Sequence, residues 1–359
     1  MYICVIKSQV AKNMDKIKLS DNPLFDKIAS IIEAAKLKVA TTVNTAMVYT
    51  YYEVGRYIVE DEQNGAERAG YGKNTLKELS NKLLNRYGKG WTVENLTLCR
   101  KFYNTYSNFV NTDYEIENQD LFKLSWSHYL VLMRIKKDDE RKFYEIECHK
   151  QNWSVRQLQR HYNSSLYERL ALSRNKSEEM RLASEGQTLE KPSDIIKNPL
   201  TLEFLGLREE LAYTESKLEN AIIDKLQDFL LELGKGFLFE ARQKRFTFDE
   251  EHYYVDLVFY NRLLQCYVLI DLKDNMLTHQ DLGQMQMYVN YFDRYVKQDF
   301  EKPTIGIVLC KEKKDTLVEL TLPEDADIYA AEYALYLPDK QLLQDKLKEW
   351  TAEFEDIKS

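Results

Sequence analysis

Few features confine these 359 residues to a special environment. The five cysteines (Cys4, Cys99, Cys148, Cys266, Cys310) are odd in number, far apart and without a Cys-x-x-Cys pair. That pattern disfavours a disulfide framework or a zinc site and makes a reducing cytoplasm the expected setting. Glycine and proline are sparse, at 12 and 6 residues, which excludes collagen-like and low-complexity chains. No stretch approaches the roughly 20 apolar residues needed to cross a bilayer, so no membrane partner is expected. Met1–Ile6 is too short an apolar run for a signal peptide, and no small-residue cleavage site follows it. The first 13 residues carry no structural pattern, which leaves Met14 as an alternative start.

What is present is a chain of ordinary apolar and charged content, long enough for two domains. Its net charge of −8 alone argues against a polyanion ligand, but the charge is unevenly placed. Through residue 171 there are 26 Lys+Arg against 21 Asp+Glu, a balance of +5; the remainder has 24 against 37, or −13. A basic first half suits phosphate contacts, although variation of this size also arises between unrelated domains.

Residues 24–63 read as two amphipathic helices, with Ile32, Ala35, Val39, Val43 and Met47 at helical spacing. After a break at Gly65, Gly70 and Gly72, Leu76, Leu79, Leu83 and Leu84 line a further helix that stops near Gly88-Lys89-Gly90. Trp91-Thr92-Val93 opens the next one, with Thr92 as N-cap and Trp91 stapled to Leu96. Helix, glycine turn, helix is the outline of a helix-turn-helix, and Asn95, Thr97, Arg100, Lys101 and Asn104 could reach phosphates or base edges. Trp153-Ser154-Val155 repeats the opening and leads a helix with Arg156, Arg160, His161 and Arg169. Helical bundles that never meet nucleic acid use the same staples. Residues 172–199, polar and aperiodic, read as a linker or mobile loop, and Leu200–Leu233 as one long helix ending at Gly234 and Gly236.

Beyond Gly236 the periodicity becomes extended. Strands are expected at Phe237–Phe246, Tyr253–Tyr260 and Gln265–Lys273, then a helix at Thr278–Val296 and strands near Thr304–Cys310 and Ile328–Ala334. Asp256 is the lone charge in its strand. Asp271 and Lys273 end the next, on one face by alternation, and a hairpin centred near Leu263-Leu264 sets Asp256 across from Asp271. Two carboxylates facing each other on apolar strands repel and lose hydration. Lys273 can neutralise one of them, and a hard divalent cation with oxygen ligands satisfies both. That set suits phosphodiester hydrolysis, in which water must become nucleophilic and phosphate charge must be compensated. Asp-x-Lys alone is unspecific, since Glu312-Lys313-Lys314 matches its acidic form. Its place at the end of an apolar strand, after a strand with one lone Asp, gives it weight.

In this strand order, Asp256…Asp271-Leu272-Lys273 resembles the PD-(D/E)XK nuclease superfamily. The phrases Arg242-Gln243-Lys244-Arg245, Tyr254–Tyr260 and Val268–Lys273 closely resemble the YhcG family of bacterial proteins. Gly283–Tyr288 resembles that family's helix motif and contains the Gln-x-x-x-Tyr of RecB-like nucleases. Tyr52–Arg56, Tyr71-Gly72-Lys73, Leu124–His128 and Trp153–Val155 resemble its N-terminal helical domain.

The resemblance implies an α+β protein: an all-α, helix-turn-helix-like domain (22–171), a linker (172–199), and an α/β restriction-endonuclease-like domain (200–350). It implies a DNA endonuclease using Mg²⁺ or Mn²⁺. Asp256 and Asp271 would hold metal, and Lys273 would activate water. Gln284 and Tyr288 would position the site or the DNA backbone. Glu219 matches a first-helix glutamate that can complete such sites, although a surface position suits it better. Arg100, Lys101, Arg156, Arg160 and Arg242 are the candidate DNA contacts, and His279 suits a helix start. Implied partners are DNA and proteins of restriction-modification or mobile-element systems; a homo-oligomer stays open. At 271 the chain has Asp where Glu is common, and Asn275-Met276 replaces a frequent Gly-Lys. An assembly protein with a silent nuclease core and an RNA-directed nuclease are the alternatives.

Overall fold

Helical periodicity governs the chain before Gly186, and strand periodicity dominates beyond Gly236. The computed structural model describes residues 23–64, 71–107, 122–172, 176–207, 213–323 and 325–345. The expected start at Met14 lies outside them. The chain divides into two units, Met1–Arg141 with Cys148–Leu158, and Lys142–Glu147 with Gln159–Ser359.

In the first unit, α1 (Pro23–Asn64) is one continuous helix where two were expected. Gly55 does not break it but serves a close approach: a Cβ there would lie 2.1 Å from the Cys99 carbonyl oxygen. The buried stripe is Val48, Tyr52, Gly55 and Ile58, whereas Ile32 and Val43 are exposed. Ala35 and Val39 of the expected face lie outside the residues whose side chains are described. Helices α2 (Tyr71–Tyr87) and α3 (Val93–Tyr106) flank a turn in which Gly88 and Gly90 take φ of 79° and 137°. Such positive angles favour glycine because a Cβ would clash. The Thr92 hydroxyl accepts from the Asn95 N–H, and Trp91 packs with Leu96 as expected. After α4 (Trp126–Leu132) and α5 (Asp138–Gln151), α6 (Val155–Asn163) opens with Ser154 and Gln157 capping each other's backbone N–H. His128 bonds the Ser125 hydroxyl at 2.7 Å and the Trp153 carbonyl at 2.9 Å. The Leu124–His128 phrase is thus a structural clasp.

In the second unit, α7 (Leu166–Leu172) precedes a segment that is no loop. Helix α8 (Lys176–Glu185) and a 3₁₀ turn (Pro192–Ile195) occupy it, with Leu182, Ala183, Gln187, Asp194 and Ile195 buried. Its polar composition hides long-range partners: the Gln187 N–H donates to Glu147 at 2.9 Å, Lys235 Nζ donates to the Gln187 carbonyl at 2.6 Å, and Lys197 reaches the fully buried Glu232. Arg169 Nη1 approaches one Glu232 oxygen at 2.5 Å and Arg160 Nη2 the other at 3.2 Å; Lys197 Nζ donates to its backbone carbonyl. Burial alone would raise the Glu232 carboxyl, but Arg169, Lys197 and Arg160 hold it below the usual carboxylate range.

The single helix expected over Leu200–Leu233 is likewise divided. Strand β1 (Leu200–Thr201) comes first, then a 3₁₀ turn (Glu203–Leu205) that Gly206 ends at φ 65°. Helices α9 (Glu215–Asp224) and α10 (Leu226–Leu233) follow, broken at Lys225. Strands β2 (Phe237–Phe248), β3 (Glu251–Asn261), β4 (Cys266–Leu272), β5 (Ile305–Cys310) and β6 (Ile328–Ala334) fall where strand periodicity placed them. So does α11 (His279–Tyr295), capped reciprocally by Thr278 and Asp281; α12 (Asp315–Thr321) precedes β6.

The sheet order is β1-β6-β5-β4-β3-β2, parallel from β1 to β4 and antiparallel at β3 and β2. One face packs Leu257, Phe259, Val268 and Ile270 against Leu218, Ile222 and Phe229 of α9 and α10. The other packs Val258, Leu269 and Val308 against Leu282, Met285 and Phe292 of α11. Each such side chain contributes roughly 1.5–3 kcal/mol when fully buried.

Breaking a buried ion pair strands its partner's charge and costs about 3–5 kcal/mol. Arg169→Ala or Glu232→Ala should therefore lower stability by that order in urea unfolding. Variants as stable as wild type would show that the network contributes nothing.

Candidate active site

The ladder between β3 and β4 ends with Leu257 opposite Ile270. Just beyond it, the next residues, Asp256 and Asp271, bring two carboxylates to the same end of the sheet. Asp256 is tied to the β4 end: its Oδ2 accepts from the Leu272 backbone N–H at 2.8 Å. Asp271 is 2 % exposed. Its Oδ2 stands 2.9 Å from Lys273 Nζ. Alternation thus puts Asp271 and Lys273 together, as expected. The Lys273 backbone N–H donates to the Leu309 carbonyl at 2.7 Å, which anchors this strand end on β5.

Two further acids surround the lysine, Glu215 of α9 at 3.8 Å and Asp281 of α11 at 3.9 Å. Neither stood out in the sequence, because each lies in the first turn of a helix where an acid is ordinary. Burial alone would lower the Lys273 ammonium, but Asp271, Glu215 and Asp281 raise it above its usual range. It is therefore a fixed positive charge and hydrogen-bond donor. Burial, and then the Asp256 charge, push the Asp271 carboxyl up to about 7 against the opposing pull of Lys273.

On α11, Gln284 Nε2 donates to the Tyr288 hydroxyl at 2.5 Å. Burial and the Asp271 charge push that buried phenol up to about 12, so it stays protonated. His279 is exposed at the first helical position.

Glu219 corrects the expectation of a surface position, since it is 4 % exposed. It meets Asp256 through an intermediary: Gln243 Nε2 donates to Glu219 Oε2 at 2.7 Å and to Asp256 Oδ1 at 2.9 Å. Among the described residues no group of three His, Cys, Asp or Glu side chains could hold a metal together. Glu219 therefore does not complete a three-ligand set as placed.

The donor set nevertheless fits a hard divalent ion. It is all oxygen and it carries excess negative charge, with Asp271, Glu215 and Asp281 around one lysine. Mg²⁺ characteristically takes one or two carboxylates and completes its shell with water and substrate phosphate.

The candidate DNA contacts separate. Lys101 and Arg156 are exposed. Arg100 is paired with Glu62 at 2.7 Å, and Arg242 with Glu219 at 3.1 Å and Asn220 at 3.0 Å. Arg160 must be withdrawn, because its guanidinium is committed to Glu203 and Glu232.

Family comparison meets this geometry. Residues 193–348 match the YhcG PDDEXK nuclease domain, and residues 27–169 match the DUF1016 N-terminal domain. A protein of Escherichia coli (strain K12), "Putative nuclease YhcG", is 36 % identical over 358 residues, covering 93 % of this chain and 95 % of its own. The chain belongs to the YhcG family. The two domain matches leave residues 170–192 between them, where α8 lies. With its mixed sheet and nuclease-domain match, this YhcG-family chain is an α+β protein carrying a PD-(D/E)XK domain. Among solved structures, a repair endonuclease from Pyrococcus abyssi is 18 % identical, with a TM-score of 0.26 over 36 % of this chain and 50 % of its own. An EndoMS–dsDNA complex is 20 % identical, at 0.25 over 37 % and 49 %. At that extent of overlap neither likeness decides the fold.

Asp271 binds its proton more tightly folded, near 7, than unfolded, near 3.8. The folded state thus holds more protons between those values, and stability declines as pH rises through that window. Without metal, in chelator, Asp271 should contribute a fall in melting temperature as pH rises between those values. Asp271→Asn should flatten the decline; a variant that keeps it would place the titration elsewhere.

Proposed function

We propose that this chain hydrolyses DNA phosphodiester bonds with a divalent metal, Mg²⁺ or Mn²⁺. The observation carrying this reading is the buried Asp271 carboxylate beside Asp256, with one lysine inadequate to neutralise both. Asp256 and Asp271 would hold the ion. When bound, it supplies Lewis-acid polarisation of water and phosphate. Water adds at phosphorus, the bond to the leaving oxygen breaks, and that oxygen departs with a proton. Lys273 acts at its protonated Nζ, orienting the attacking water and offsetting charge on the phosphate oxygens. Gln284, bonded to the neutral, buried Tyr288, positions the site or the DNA backbone. The nuclease match of residues 193–348 supports the reaction class.

DNA is the proposed substrate, and the N-terminal helical domain its proposed targeting element. The +5 balance through residue 171 and the exposed Lys101 and Arg156 support this, and the α2–α3 turn has a helix-turn-helix outline.

Asp256→Ala and Asp271→Ala should each abolish metal-dependent cleavage, whereas Lys273→Met should retain metal affinity and slow turnover strongly. Single-turnover assays on plasmid, branched, single-stranded and RNA substrates, with calorimetry, check both outcomes. Variants that cut as fast as wild type would exclude this site. Loss of metal binding in Lys273→Met would make the lysine a structural partner.

Phosphate contacts release counterions, so affinity falls with salt in proportion to their number. Lys101→Ala with Arg156→Ala, in the full chain, should reduce the slope of log affinity against log salt by roughly 2 units. An unchanged slope would remove these residues from the DNA surface.

A further inference from the structure

Alternation along β3 breaks at one place. Leu257 and Phe259 pack in the core under α9 and α10, yet Val255, two residues before Leu257, packs in the core under α11. On β2 the break falls at Gln243. The flanking pairs Arg242–Leu257 and Lys244–Val255 put it opposite Asp256. Its φ is 46°, a left-handed value in a residue that is not glycine. Such backbone is costly for a side chain bearing a Cβ and persists only where something else holds it. Packing does not, because Gln243 is exposed.

Its amide explains the conformation. The two hydrogens of Nε2 serve two carboxylates, Glu219 Oε2 at 2.7 Å and Asp256 Oδ1 at 2.9 Å. The Leu272 N–H takes the other Asp256 oxygen. Asp256 is thereby clamped from β2 and from β4, while Glu219 is kept one amide away.

We infer that Gln243 is a positioning residue for the metal site, fixing the Asp256 carboxylate beside Asp271 and separating it from Glu219. The inference rests on the metal-dependent nuclease reading. Gln243 touches neither substrate nor reacting atoms; it acts through Asp256, as partners of metal ligands do.

The test uses full-length Gln243→Gly and Gln243→Asn. Both residues accept left-handed backbone, the first without an amide and the second with one a methylene too short. Metal-free melting temperatures should stay at or above wild type. Crystal structures without metal should show Asp256 and Glu219 displaced. Mn²⁺ affinity and single-turnover cleavage should fall about 10–100-fold. Asp256 unmoved, with Mn²⁺ affinity unchanged, would overturn the inference; so would a lower melting temperature alone, which marks a structural role. If wild type itself binds no Mn²⁺, the nuclease reading fails, and the crystallographic comparison still decides whether Gln243 positions Asp256.

Discussion

A carboxylate buried beside another carboxylate is the constraint on which this structure turns. Asp271 has an apolar strand before it, Asp256 across from it and Lys273 as its nearest cation. Removing charge from water is costly unless it is paired, and here one ammonium faces three acids, Asp271, Glu215 and Asp281. Much nearby architecture holds this arrangement in place. The Lys273 N–H is anchored on β5, the Leu272 N–H holds Asp256, and α11 is locked at its start by Thr278 and Asp281. A divalent ion would resolve the imbalance that the lysine leaves.

The same chain treats a second buried acid in the opposite manner. Glu232 is also removed from water, but two arginines engage its carboxylate and Lys197 sits beside it. Its carboxyl is held low while that of Asp271 is pushed up to about 7. A satisfied acid is structural; one left short of positive charge is a candidate for chemistry. That contrast between two carboxylates of one unit separates scaffold from site more clearly than burial does.

Legibility in the sequence followed the range of the forces involved. Strands β3 to β6 and helix α11 lay close to their expected bounds because alternation and capping are local signals. Asp256, Asp271 and Lys273 were legible as lone charges on apolar strands, and their facing geometry followed from one hairpin. Arg160 was misjudged because its partners lie far along the chain, at Glu203 and Glu232, and residues 172–199 were read as a loop because Gln187 and Lys197 bond to Glu147 and the Glu232 carbonyl. Glu219 looked solvated for the same reason. Gln243 sat in the polar phrase Arg242–Arg245, where composition could not show its left-handed backbone or the two carboxylates it bridges. The long α1 was read as two helices, and the close approach of Gly55 to Cys99 leaves no local signal in the sequence.

In the proposed site, a divalent ion held by Asp256 and Asp271 would displace the Asp271 proton. Calorimetric titration of Mn²⁺ into the full chain, repeated in buffers of different ionisation enthalpy, measures the protons released per ion bound. Release should approach one proton at pH values below the Asp271 value of about 7. Release should vanish well above it and be absent in Asp271→Asn. Tight binding with no proton release at any pH, or binding unaltered in that variant, would contradict the proposed site.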